Sequence, residues 1–272
     1  MPQAYNITDS TITVYIDGDL FQIPRSAPHA HGVEQGLKNN VSDYELRQLC
    51  TPAQAVQIYS QGRVRVSQGQ VTLDGQPMPR CLETRILALM RDGLPFTYLV
   101  NFFDRLRANS SNRAVEELYA FLEHTGIPIT KDGHFLAYKG VQENRYSVTE
   151  NPTTRVLQGT VTPEGHIWNG DGCTIEVVRQ DVDDNCTRTC SHGLHVGSYE
   201  YASLWGDVRV VVEVDPADVV SVPIDSDRQK VRVCKYKVLG PCYGRMTCSV
   251  GDPDDPYKRP IADYRLKFTK YQ

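Results

Sequence analysis

Residues 189–198 read Thr-Cys-Ser-His-Gly-Leu-His-Val-Gly-Ser, followed by a helix-like stretch over 199–205 and then by Val208–Val214, an unbroken strand pattern. A strand that ends in Gly-Ser, opens a helix and leads into a second strand constrains the back half of this chain more than any other segment does. Backbone N–H groups are left free where a helix opens after a strand, which makes such junctions common places for binding or catalysis. Here the junction also carries a thiol, Cys190, and two imidazoles, His192 and His195.

The pattern changes character along the chain. Residues 12–16 and 20–23 alternate apolar and polar around Asp17-Gly18, a strong hairpin signal, and Pro24 stops the second strand. A short helix over 29–37 ends at Asn39-Asn40, and further helices are expected over 42–49 and 52–59. Val64, Val66, Val71 and Leu73 predict a second hairpin turning at Gln68-Gly69. The next block is helical. Leu82, Ile86, Leu89 and Met90 share a face and Gly93 ends the run. Pro95 opens a second helix with Phe96, Leu99, Val100, Phe103 and Leu106 on its stripe. Ser111 or Asn112 caps a third, with Val115, Leu118, Phe121 and Leu122 inward and Gly126 and Pro128 closing it. Three short amphipathic helices with tight connections predict a small bundle.

From Ile129 the periodicity is that of strands: a turn at Lys131-Asp132-Gly133, a strand over 134–141, a polar turn-rich stretch over 144–165, a short strand over 175–178 and an acidic, mobile loop over 181–189. After the Cys/His junction come strands at Val208–Val214, 218–223 and 231–239. The fold class is therefore α+β with strands predominant. An N-terminal hairpin and helix module covers 1–77, a three-helix segment 78–127, a mixed and mostly antiparallel sheet domain 128–245, and an extended tail 246–272, in which 264–268 could dock as one more strand.

Bulk properties exclude several classes. A net charge of -4 over 272 residues gives no broad electrostatic drive toward DNA or RNA, so no specific nucleic-acid partner is expected. No apolar run approaches the ~18 residues that span a bilayer. Met1-Pro2-Gln3-Ala4 lacks the basic and apolar regions of a secretory signal. The eight cysteines are scattered, with no Cys-x-x-Cys pair, and are expected as thiols in a reducing compartment.

Four chemistries compete at the junction. Cys186, Cys190, His192 and His195 form Cys-x3-Cys-x-His-x2-His, a zinc-type set within ten residues. Structural zinc sites usually draw on two separated knuckles, however, and strand alternation would send His192 and His195 to opposite faces. The favoured reading is a buried Cys190 with a hydrogen-bonded His195, and no metal or other cofactor. Asp181, Asp183 and Asn185 have calcium-loop spacing, but Cys186 and His192 stand where Gly and Glu are required; an acidic solvated loop fits better. A Cys190 nucleophile paired with either histidine lacks a third group to orient the base. Finally, Tyr138-Lys139-Gly140, the Gly193–Ser198 stretch ahead of Tyr201-Ala202, and Cys234-Lys235-Tyr236-Lys237-Val238 follow the order of the three motifs of ADP-ribosyltransferases. Lys139 stands where Arg or His is expected and no Glu matches near Lys235. The resemblance therefore suggests a degenerate version of that fold, argues against the activity, and leaves Tyr138, Lys139, His195, Ser198 and Lys235 as candidate ligand contacts. No residue is assigned a catalytic role and no enzymatic activity is expected.

From about Arg80 to Leu239 the chain resembles the rIIB proteins of T4-type phages and their relatives. The resemblance is carried by Glu117–Leu122, by Ile127–Lys139, by Asp183-Asp184 with Thr189–Val196, by Asp218–Asp225 and by Cys234–Val238. The hairpin Thr13–Gly18 is also like the one ahead of that region in those proteins, whereas the helix-turn-helix that opens the T4-type version has no counterpart here. The resemblance implies a phage early protein that works with rIIA, a large protein with a GHKL-type ATPase region. Together they counter host or prophage exclusion, notably the lambda Rex system, and influence lysis timing. It implies location in the host cytoplasm, with peripheral attachment at the inner membrane through the partner, and leaves homo-oligomerisation open. A virion or assembly role is the weaker alternative.

Overall fold

The computed structural model describes residues 4–27, 29–51, 62–67, 70–91, 96–150, 153–188, 190–224 and 227–242. The chain divides into two compact units, 1–100 and 101–272.

In the first unit, β1 (Ala4–Ile7), β2 (Thr11–Ile16) and β3 (Asp19–Pro24) form an antiparallel sheet in that order. Asp17 and Gly18 both take positive φ, the conformation that lets a two-residue turn follow the twist of its strands. Alternation puts Ile12, Val14 and Ile16 on one face of β2. They are buried with Ile23 against α1 (Ala30–Lys38) and α2 (Asp43–Cys50), which supply Val33, Leu37 and Leu46. Ser42 caps α2 reciprocally. Its Oγ accepts from the Glu45 N–H at 3.2 Å, and the Glu45 carboxylate accepts from the Ser42 N–H at 3.1 Å. Strand β1 has no counterpart in the sequence reading, because all four of its residues are exposed and leave no apolar alternation.

A second small sheet, β4 (Val64–Ser67), β5 (Gln70–Leu73) and β6 (Gln76–Pro77), precedes α3 (Arg80–Arg91). Leu82, Ile86 and Leu89 are buried on α3, and the Glu83 carboxylate accepts the Val71 N–H at 3.2 Å. The helix expected over 52–59, the turn at Gln68-Gly69, Gly93 and Pro95 lie outside the described residues, as do the tail and its 264–268 segment. Helix α4 (Thr97–Arg107) runs across the division between the two units, so α3 belongs to the first unit and α5 (Asn112–Thr125) to the second. Ser111 caps α5, accepting from the Ala114 N–H at 3.3 Å, and Gly126 ends it in the left-handed conformation.

The second unit is built on eight antiparallel strands: β7 (Phe135–Val141), β8 (Val156–Gln158), β9 (Thr174–Val177), β10 (Leu194–Gly197), β11 (Val208–Val214), β12 (Val219–Ser221), β13 (Lys230–Val233) and β14 (Lys235–Pro241). Their order is β12-β13-β10-β7-β11-β14-β9-β8. The single strand expected over 231–239 is two. At Cys234 the chain changes partners: its N–H donates to the Asp218 carbonyl oxygen at 2.9 Å, beside the Val219↔Val233 pair, and its carbonyl oxygen accepts from the Val177 N–H at 2.8 Å. The chain then passes from β13, paired with β10 and β12, to β14, paired with β11 and β9. Alternation holds on each side, but its phase shifts between Val233 and Tyr236, three residues apart, a mark of the break that the single-strand reading passes over.

Two glycines set the packing around the short helix α6 (Tyr199–Ser203). A Cβ on Gly140 would stand 2.1 Å from the Trp205 carbonyl oxygen, and one on Gly197 2.2 Å from that of Gln229. Both positions exist to let backbone approach backbone. Strands β7 and β11 pair along seven residues, whereas β7 and β10 meet in register at Gly197↔Tyr138 alone. Beyond that pair the sheet splits. Among the described residues no helix is long and apolar enough to cross a membrane.

Candidate functional site

The split between β7 and β10 opens into a cavity of about 380 Å³, within the range typical of small-molecule sites. Lys139 and Gly140 come from β7, Leu194 and His195 from β10, Lys230 from β13 and Tyr236 from β14. The 190–193 loop and the Tyr201–Trp205 region complete the wall.

Lys139 spans the split. Its Nζ donates to the His195 carbonyl oxygen at 3.0 Å and lies 5.7 Å from the centroid of the Tyr236 ring. Burial pulls the amine down to about 8. Tyr236 is itself buried, its hydroxyl donating to Asn169 Oδ1 at 2.5 Å, and burial raises its phenol well above the ordinary range. His195 lies opposite Arg232 in the β10–β13 register. Burial first, then the charges of Lys139, Lys230 and Arg232, push its imidazole down to about 3, against a backbone bond at Ser191. The ring is therefore neutral across the ordinary pH range, and its Nε2 is buried without a hydrogen-bond partner.

Of the five sequence-predicted ligand contacts, the structure brings Lys139 and His195 to this cavity and places the others elsewhere. Tyr138, on the opposite face of β7, packs with Leu136, Val211 and Ala202 and edge-on to Tyr199 at 5.4 Å. Ser198 caps α6, accepting from the Tyr201 N–H at 3.0 Å and donating to Gln229 Oε1 at 2.9 Å. Lys235 pairs with Glu176 Oε2 at 2.8 Å, its register neighbour on β9. Adjacent positions on a strand face opposite ways, which separates Tyr138 from Lys139 and Lys235 from Tyr236.

The zinc-type set disperses likewise. Cys186 is buried and its Sγ accepts from Arg113 Nη1 at 3.3 Å. His192 Nδ1 stands 2.7 Å from Thr153 Oγ1 at the cavity mouth. Cys190, read from sequence as buried, is exposed and lines the cavity, because the chain enters β10 four residues later, at Leu194. Among the described residues no three His, Cys, Asp or Glu side chains converge as a metal set.

The acidic stretch read as a mobile loop is tied down. Asp181 accepts from Arg155 Nε and Nη2 at 2.9 and 2.8 Å, and those bonds hold its carboxyl at about 2. Asp183 accepts from the Asn185 N–H at 2.9 Å and from Ser191 Oγ. Behind the loop, the fully buried Arg232 donates to the carbonyl oxygens of Asn185 at 2.9 Å and Arg188, and to Ser221 Oγ at 3.2 Å. Sequence reasoning missed Arg232 and Lys230. Their one visible signal is two basic residues in a strand whose every position is buried.

Fold and site together define a mixed α+β protein whose eight-stranded antiparallel sheet holds a cavity lined by cationic, aromatic and imidazole side chains. The chain belongs to the Bacteriophage T4 rIIB family: the family model described as "Bacteriophage T4 protein rIIB" matches residues 17–254. It is 33% identical over 241 residues to Protein rIIB of Enterobacteria phage T4, an alignment that covers 86% of this chain and 72% of that protein. No solved structure matches, so the likeness to ADP-ribosyltransferases rests on motif order alone.

Proposed function

We propose that this chain is a non-enzymatic accessory protein of phage infection. It acts by contact with an rIIA-like, GHKL-type ATPase to counter exclusion by host or prophage systems and to influence the timing of lysis. The observation that carries the reading is the family match, which runs from residue 17 to 254 and so takes in both compact units. The fates of Tyr138, Ser198, Lys235 and Cys186 support it, since each of these reactive or polar side chains holds a structural post. An apolar patch on the first unit also supports it: Tyr15 and Leu20, register partners on β2 and β3, are 50% and 61% exposed.

On this reading the protein works in the host cytoplasm and meets the inner membrane peripherally, through its partner. Co-expression with an rIIA-like ATPase followed by affinity purification tests it. A stable complex at physiological salt that is lost on Leu20→Glu with Tyr15→Glu is expected. A chain that elutes alone with the partner present would sink the proposal.

A further inference from the structure

Contact with a partner requires no internal cavity, yet the split between β7 and β10 holds one with a definite chemical bias. Two lysines, Lys139 and Lys230, line it with two histidines, and Glu150 at the mouth is the single carboxylate among its described lining residues. Lys139 makes no ion pair among the described residues: its ammonium has one acceptor, the His195 carbonyl, and one aromatic face, Tyr236. Two of its three N–H donors are left for another acceptor. Arg232, opposite His195 in register, stands outside the lining, its guanidinium bonded to the Asn185 and Arg188 carbonyls and the Ser221 hydroxyl, so the two lysines are the cations of the described lining. A half-enclosed site with this excess of positive charge attracts anions more strongly than an exposed patch would.

The remainder of the lining selects among anions. Tyr236 and Tyr201 carry the Lys139 and Lys230 ammoniums over their rings at 5.7 and 6.0 Å, and Trp205, 39% exposed at the rim, gives the open aromatic wall. Planar rings stack on such surfaces, whereas a bare inorganic anion gains nothing from them. His195 contributes a neutral imidazole whose buried Nε2 has no partner. In the neutral state that nitrogen suits an uncharged hydroxyl better than a phosphate. Cation, aromatic wall and neutral polar group together match the three parts of a nucleotide: phosphate, base and sugar.

We propose that this cavity binds a nucleoside phosphate, with Lys139 and Lys230 facing the phosphates and Trp205, at the rim, facing the base. Binding requires no turnover.

The test is thermal unfolding and titration calorimetry of the full chain with ADP, GDP, UDP and CDP, and with inorganic pyrophosphate as the ring-free probe. At least one nucleotide should raise the midpoint saturably and bind at least tenfold tighter than pyrophosphate. Lys139→Met should weaken that binding by about tenfold or more, the loss of one charge-assisted contact. Lys235→Met, outside the cavity, should leave it unchanged. Should Lys139→Met fold poorly, Trp205→Ala removes a rim side chain and should weaken the nucleotide while sparing pyrophosphate. No saturable response at millimolar nucleotide, or pyrophosphate binding as tightly as any nucleotide, would overturn the proposal. So would equal affinity in wild type, Lys139→Met and Trp205→Ala.

Discussion

The Lys139 ammonium donates to the carbonyl oxygen of His195 at 3.0 Å across a gap where their strands no longer pair. The cationic side chain thus replaces the ladder hydrogen bonds that β7 and β10 would otherwise exchange, and it brings a positive charge next to an imidazole that must then stay neutral. Packing, electrostatics and the shape of the cavity meet in this one contact.

Arg232 should be the least replaceable polar residue of the second unit. Arg232→Met removes the donor shared by the Asn185 and Arg188 carbonyls and the Ser221 hydroxyl, leaving buried acceptors unmet. A loss of about 3–5 kcal/mol in urea unfolding is expected, with new proteolytic cleavage within 181–192. Arg232→Lys should not rescue, because a single ammonium cannot reach acceptors set for a planar fork. Wild-type stability in either variant would contradict this account of the loop.

Gly140→Ala should destabilise although it adds one methyl group. The new Cβ would meet the Trp205 and Ala202 carbonyl oxygens at 2.1 and 2.6 Å, and backbone cannot rotate away as a side chain can. About 1–3 kcal/mol is expected, as for other overpacked sites. Gly18→Ala, with nothing within 4 Å of the added carbon, serves as a control, where only the positive φ is strained.

Two histidines should shape the pH profile from opposite sides. His134 bonds to Asp215 and Glu213, which raise it from 6.5 to about 9. Its contribution is complete below pH 6.5 and is lost as the pH climbs through 9. His195 is lowered from 6.5 to about 3, chiefly by burial. Its contribution is complete above pH 6.5 and is lost as the pH falls toward 3. Stability should therefore be greatest near neutrality. His134→Gln should flatten the alkaline limb and His195→Leu the acid limb, each by about 1–3 kcal/mol over its window. Limbs that keep their slopes in these variants would show that the two rings do not govern them.

Lys235 and Glu176 should couple weakly. Both are partly exposed, so a double-mutant cycle with alanine should return about 0.2–1 kcal/mol, falling with added salt. A coupling well above that range would mean that the pair does more than clip β14 to β9.

Much of the architecture is legible in the sequence because local signals agree with the final packing. Asp17-Gly18 dictates the first hairpin, Ser111 and Gly126 bracket α5, alternation marks β2, and a valine-rich run marks β11. The failures share a physical cause, which is that burial alone writes a periodic pattern. The exposed β1 leaves no trace, and the change of partners at Cys234 leaves only a one-residue shift in phase between Val233 and Tyr236. At the site, Lys139 and His195 stand out because each is a polar residue in an apolar strand. Tyr138 and Lys235 were grouped with them by adjacency, yet neighbours in a strand point apart. Lys230 reaches the cavity wall only through the β10–β13 register, a relation between segments about 35 residues apart that no short motif encodes.

The lone Gly197↔Tyr138 rung has a mechanical consequence. The eight strands are two ribbons, β12-β13-β10 and β7-β11-β14-β9-β8, joined by that rung and by the chain running through Cys234 from β13 to β14, and braced by a lysine strut. Each ribbon can breathe without tearing the other's ladder. A molecule lodged in the seam would splint them together, so that amide exchange in β10 and β7 slows in step.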